Sequence, residues 1–191
     1  GLGDVYKRQK KQDAQIILMG HSLGGKVAMQ LSAMYPSLLE KLIVADMAPK
    51  EYPGKQFDFI EKLLSLDLSI LKTRKEAEAT LSTIIGDWAT TQLLLKNLQW
   101  NEEEKLEWKF NLKVIAKNQE TIGKTFSLEE KQINTPTLFI RGERSKYILD
   151  ADWETIKQSF PNSELITLAD AGHWLHAEKP KEFTEAVVGF I

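Results

Sequence analysis

A serine between glycines, Gly20-His21-Ser22-Leu23-Gly24, follows the apolar run Ile16-Ile17-Leu18-Met19 and precedes a helical pattern that begins at Gly25. A serine at a forced turn between strand and helix has its hydroxyl thrust outward, which suits attack on a carbonyl carbon. Small residues two before and two after it are expected because the turn is too tight for side chains, and the serine itself takes a strained backbone. A neutral hydroxyl is a poor nucleophile. Ser22 therefore needs a general base, and that base needs a group to hold its tautomer.

Three histidines are available. His21 adjoins the serine, and neighbouring side chains of an extended segment diverge, so it is expected to pack in the loop with its ring turned away. His176 lies just before Glu178 and Lys179 and is expected at the surface or behind the base. His173 follows the last strand in a loop containing Gly172, at the carboxyl edge where an open α/β sheet gathers its functional groups. His173 is therefore the expected base, in the chain order serine, acid, histidine, its alternative use being that of a structural loop histidine. The acid is less direct. A carboxylate often follows the penultimate strand of such a sheet, here Arg141-Gly142-Glu143-Arg144-Ser145, but Ser145 stands where an aspartate would be expected. Glu143 and Asp150 are nearby candidates. Asp46 is favoured, since it closes the apolar run Leu42-Ile43-Val44-Ala45 and an unpaired buried carboxylate there would be costly. Its alternative use is a hydrogen bond to loop backbone.

The elements that must position these groups read as follows. Val27, Ala28, Leu31 and Met34 continue a helix that Pro36 ends, and Leu42 to Ala45 is a parallel strand covered on both faces. Strand, helix and strand make one crossover unit. Residues 50–133 change texture to a mostly helical insertion, with sets such as Ala77, Leu81, Ile84, Ile85 and Trp88. One patch there, Leu106, Trp108, Phe110 and Leu112, alternates with period two and predicts an extended arm. Strand texture returns at Thr137 to Ile140, a helix is expected from Ala151 to Phe160, and Glu164 to Leu168 is the last strand. Pro180 then opens a helix with Phe183, Ala186, Val187 and Phe190 on one face. The expected organisation is an α/β core, residues 10–49 and 134–191, with a helical lid at 50–133. Residues 1–9 have no amphipathic period and read as a non-native scar joined to a truncated frame.

Composition bounds the partners. The 191 residues are 42% hydrophobic with a net charge of −2, which fits a globular domain and offers no electrostatic footprint for nucleic acid. No apolar run reaches the roughly 18 residues of a membrane span. There are no cysteines, which excludes thiolate catalysis and Cys-ligated metal. A small-molecule partner is expected, with oligomeric state open and a cytoplasmic location.

Three segments carry a family resemblance: Gly20-His21-Ser22-Leu23-Gly24-Gly25-Lys26, Val44-Ala45-Asp46-Met47-Ala48-Pro49 and Ala171-Gly172-His173-Trp174-Leu175-His176-Ala177-Glu178-Lys179-Pro180. Together they resemble the α/β-hydrolase superfamily, and within it the small bacterial acyl esterases and thioesterases related to the mammalian abhydrolase-domain protein 11. Leu94-Leu95-Lys96-Asn97-Leu98 and Trp108-Lys109-Phe110-Asn111-Leu112 resemble lid segments of that subgroup. The resemblance implies a mostly parallel sheet with flanking helices and a helical lid, its first strands missing here. It also implies a Ser22-His173-Asp46 triad, no cofactor and no metal, and cleavage of carboxylic esters or acyl thioesters through an acyl-enzyme. The acid of that subgroup follows the strand after the nucleophile, which maps onto Asp46. Its oxyanion hole uses the N–H after the nucleophile, here Leu23, and a second N–H from an earlier loop that this chain lacks. The same triad also serves perhydrolases and carbon–carbon bond hydrolases or lyases, and the same fold serves non-catalytic binding proteins.

Overall fold

The computed structural model describes residues 15–52, 59–123 and 132–191. Segment 1–9, read above as foreign, lies outside them. Among the described residues the chain forms two compact units, 15–50 with 132–191, and 51–52 with 59–123.

The first unit opens with strand β1 (Ile16–His21), helix α1 (Leu23–Met34) and strand β2 (Leu39–Ala45). Helix α1 starts directly after the serine, not at Gly25, because the Ser22 carbonyl already accepts the N–H groups of Gly25 at 2.8 Å and Lys26 at 3.2 Å. Pro36 then begins a 3-10 turn, where its missing N–H would have had no helical partner anyway.

The second unit holds α2 (Phe59–Leu64), α3 (Arg74–Ile85), α4 (Trp88–Lys96), the antiparallel pair β3 (Leu98–Trp100) and β4 (Leu106–Trp108), α5 (Leu112–Lys117) and α6 (Gln119–Gly123). Ala77 and Leu81 of α3 are buried as the period requires, but Trp88 is not on that helix. Gly86 ends α3 in the left-handed region at φ 72°, and the Asp87 carboxylate accepts the Thr90 N–H at 2.7 Å to start α4. The period-two patch is a strand only as far as Trp108, since the Asn111 side chain accepts the Val114 N–H at 3.1 Å and opens α5. Ile60, Leu63, Leu81, Leu94, Leu98, Leu106 and Leu112 make this unit's own core. An open groove of about 790 Å³ on it is lined by Leu63, Leu66, Leu68, Trp108, Phe110 and Leu112 among others.

The chain returns to the first unit with β5 (Thr137–Gly142), α7 (Trp153–Ser159), β6 (Ser163–Leu168), α8 (Leu175–Glu178) and α9 (Pro180–Phe190). The sheet order is β1-β2-β5-β6, and every pairing is parallel. Side chains alternate across it. Ile43, Leu138 and Ile140 pack with Phe183, Ala186, Val187 and Phe190 of α9, while Phe139 meets Phe160 edge-on at 5.4 Å, next to α7. Both faces of β2 and β5 are thus covered, which is why these strands read as unbroken apolar runs. The register pairs His21 with Ala45, Ala45 with Ile140, and Gly142 with Leu168, so the four strands end along one edge.

The glycines around the serine differ in what they permit. A Cβ at Gly20 would lie 2.2 Å from the Gly24 carbonyl oxygen, so a side chain there collides with backbone. Gly24 itself meets nothing within 4 Å among the described residues; the crowded position is Gly25, 3.1 Å from Val44 Cγ1 and 3.2 Å from Met47 Cβ. The symmetric requirement expected from sequence therefore shifts by one residue, because α1 starts at Leu23 and turns Gly25 toward β2. Chemical denaturation should find Gly20→Ala destabilised by about 1–3 kcal/mol, the usual cost of overpacking. Gly24→Ala should be neutral or more stable, by up to about 1 kcal/mol for removing a helical glycine.

Candidate active site

Three strand ends deliver the functional side chains. Ser22 follows β1 at φ 54° and ψ −124°, a conformation that costs a non-glycine residue about 1–3 kcal/mol. The surroundings hold it there, since its N–H donates to the Ala45 carbonyl at 3.0 Å and its carbonyl starts α1. Asp46 follows β2 at φ 50°, with its N–H on the Ile140 carbonyl at 2.7 Å, and its side chain is fully buried. His173 lies in the loop between β6 and α8.

The structure brings these three into one hydrogen-bonded line. Asp46 Oδ2 lies 2.7 Å from His173 Nδ1, and His173 Nε2 lies 2.9 Å from Ser22 Oγ. A carboxylate only accepts, so Nδ1 carries the imidazole proton and donates it to Asp46. Nε2 then presents its lone pair to the serine hydroxyl. The other carboxylates weighed above are engaged elsewhere: Glu143 accepts the Asp170 N–H at 2.8 Å, and Asp150 pairs with Arg141 at 2.6 Å in solvent. Leu23 is the first residue of α1, so its N–H belongs to the helix turn whose donors have no partner within the helix.

Side chains that sequence reasoning left out complete the arrangement. Ser145 fills the place expected for the acid and donates its hydroxyl to Asp46 Oδ2, while the Gly142 N–H reaches Asp46 Oδ1 at 3.4 Å. The Tyr147 N–H donates back to Ser145 Oγ at 3.2 Å, and the Tyr147 ring stacks on the His173 imidazole at 3.9 Å between centroids and 19° between planes. Glu178 clasps the backbone on both sides of the histidine, accepting the Gly172 N–H at 2.8 Å and the Trp174 N–H at 3.2 Å. Gly142 lets that loop approach, since a Cβ there would lie 2.2 Å from the Gly172 carbonyl oxygen. Glu178 closes a segment that reads as loop in the sequence, and its role left no signal there. Tyr147 left no local signal.

His21 turns away from the hydroxyl, as its neighbour's direction requires, and donates Nε2–H to the His173 carbonyl at 2.8 Å. Its ring lies 4.7 Å from those of both His173 and His176. Burial dominates and holds the His21 pKa down at about 4, against the bond to the His173 carbonyl, which favours protonation. His176 is also lowered, by burial and then by the charge of His173. Among the described residues no group of three or more His, Asp or Glu side chains is placed to hold a metal, and no helix is long and apolar enough to cross a membrane.

A parallel sheet gathering a strained serine, a histidine and a buried aspartate at its carboxyl edge is the layout of one protein class, and the chain belongs to it: the alpha/beta hydrolase family profile matches residues 2–186. The mouse protein named sn-1-specific diacylglycerol lipase ABHD11 is 33% identical over 92% of this chain and 58% of its own length. Esterase YbfF of Escherichia coli is 31% identical over 100% of this chain and 72% of its own. A solved structure titled marine microorganism esterase superposes with a TM-score of 0.89 at 37% identity, covering 99% of this chain and 75% of that one. The chain spans only 61% and 58% of the length of two of the curated relatives it matches.

The depressed His21 pKa makes folding pH-dependent in a defined window. Below about 6.5 the unfolded chain protonates this histidine while the native state does not until about 4, so stability falls as pH drops across that interval. Urea melts from pH 7.5 to 4 should show this decline in the parent and a shallower one in His21→Gln. Parallel curves for the two proteins would remove His21 as the source.

Proposed function

We propose that this protein hydrolyses carboxylic esters or acyl thioesters, with Ser22 as nucleophile, His173 as general base and acid, and Asp46 as the acid of the triad. The observation that carries this reading is the unbroken line from Asp46 Oδ2 through the imidazole to Ser22 Oγ, with contacts of 2.7 and 2.9 Å, at a turn that projects the hydroxyl. The relatives named as esterases and a lipase support the substrate class.

Ser22 Oγ attacks the acyl carbonyl while its proton passes to His173 Nε2. The carbonyl π electrons move to oxygen, and the Leu23 N–H at the start of α1 donates to that oxyanion. Collapse of the tetrahedral intermediate expels the alcohol or thiol, which takes the proton from Nε2 and leaves Ser22 acylated. Water then repeats the attack, with His173 again accepting a proton, and releases the carboxylic acid. Asp46 stays ionised throughout, orienting the ring and stabilising the imidazolium. No cofactor or metal enters these steps. In this reading the second unit is the lid.

A fluorophosphonate probe should label the protein at Ser22, and Ser22→Ala should abolish both labelling and ester turnover. Persistent labelling of Ser22→Ala would reject the nucleophile. Asp46→Asn should lower kcat by about 10⁴-fold, the scale of a lost tautomer lock, without a comparable change in KM. Near-normal turnover in Asp46→Asn, with loss in Glu143→Gln or Asp150→Asn instead, would move the acid elsewhere.

A further inference from the structure

The His173 imidazole is neutral when it faces the serine and cationic once it has taken the serine's proton. Any group that favours the cation over the neutral ring therefore lowers the barrier. Asp46 does so in the plane of the ring, at Nδ1. The face of the ring is occupied by a different residue: Tyr147, stacked almost parallel at 3.9 Å.

We infer that Tyr147 is an electrostatic partner of the base, its π face stabilising the imidazolium that forms when His173 accepts the Ser22 proton. The inference rests on the triad reading above and adds a residue to it. An aromatic face carries negative quadrupolar potential and attracts a cation within about 6 Å of its centroid, more strongly once water is displaced. A cost opposes this, because covering the ring also strips water from the cation. The cost is small, since the imidazolium exposes its polar N–H groups at the edge, and both edges already have partners in Asp46 and Ser22. The attraction therefore prevails. The phenol of Tyr147 is held above its usual pKa, first by burial and then by the Asp46 charge, so the stacked ring stays neutral throughout the working range. The ring is also anchored, since the Tyr147 N–H donates to the same Ser145 Oγ that donates to Asp46.

Other ionisable groups near the imidazole are accounted for. Asp46 approaches from the end of β2, His21 from the end of β1 and His176 from α8; Glu178 binds the N–H groups flanking His173 and pairs with Arg144. The two neighbouring histidines are lowered and so remain neutral near pH 7, while Asp46 acts on Nδ1. None of them lies flat on the ring as Tyr147 does.

The test keeps the shape of residue 147 and changes its electrostatics. Phenylalanine and its mono-, di- and trifluoro forms are placed at 147, and hydrolysis of 4-nitrophenyl butyrate is followed from pH 5 to 8.5, beside Tyr147→Leu. Tyr147→Phe should retain turnover. Each added fluorine should lower the plateau of kcat, reaching about three- to tenfold at the trifluoro ring and in Tyr147→Leu, with KM little changed. The acid limb of the profile should move to lower pH in the same order, because the cationic ring has become harder to form. A merely structural role would lower activity without that opposite movement. A flat fluorine series, or an acid limb that rises as the plateau falls, would overturn the inference. Ser22→Ala run alongside separates the two readings: its loss of turnover with a flat series rejects only the role of Tyr147, and its retention of turnover rejects the triad.

Discussion

Asp46 is a carboxylate with no access to water, and the site is organised around satisfying it. A buried charge left without partners would cost several kcal/mol, far more than one turn of backbone can offset. Three segments supply donors: Ser145 Oγ–H from the loop after β5, the Gly142 N–H from the end of β5, and His173 Nδ1–H from the loop after β6. Each donor ties its own segment to the end of β2. The charge that orients the imidazole thus also fixes where the loops of the carboxyl edge run, and each donor withdrawn leaves the buried carboxylate less well satisfied.

The histidine loop shows how a base on irregular backbone is kept still. Its N–H groups at 172 and 174 go to Glu178, its carbonyl at 173 goes to His21, and its close approach to β5 depends on Gly142 having no side chain. His21 adjoins Ser22, so its bond links the serine turn to a loop 152 residues away. The left-handed backbone at Ser22 and Asp46 follows from the same requirement. A strand that ends at the edge of a parallel sheet must turn sharply to leave its side chain in the crevice, and the hydrogen bonds at these two turns hold the strain in place.

Much of this was legible in the chain. The apolar runs ending at Ala45 and Ile140 named strands whose burial on both faces leaves no polar alternation, the run ending at Met19 named a strand on which Ile17 and Met19 are exposed, and the period of Phe183, Ala186, Val187 and Phe190 named the helix packed on the sheet. Ser22, His173 and Asp46 were chosen by type and by position at strand ends, and the fold places them within hydrogen-bond reach. The errors were local. A helix boundary two residues early moved the crowded glycine from Gly24 to Gly25, and Gly86-Asp87, a stop followed by a cap, broke an apolar period that had been run through to Trp88.

Local physics decides what a segment is. Turn sterics, caps and hydrophobic period act over four or five residues, and so the sequence by itself determined the parallel strands, the forced turn at Ser22 and the short list of groups able to do chemistry. What each of them binds was a tertiary matter. Glu143, Asp150 and Asp46 are alike as carboxylates, and only packing showed that the first binds a loop N–H, the second pairs with an arginine in solvent and the third is sealed beside the imidazole. Ser145 looked like an empty acid slot until the fold turned its hydroxyl onto Asp46, 99 residues away. The stack of Tyr147 on His173 is of the same kind, because two rings on separate loops have no relation until the sheet brings β5 and β6 side by side.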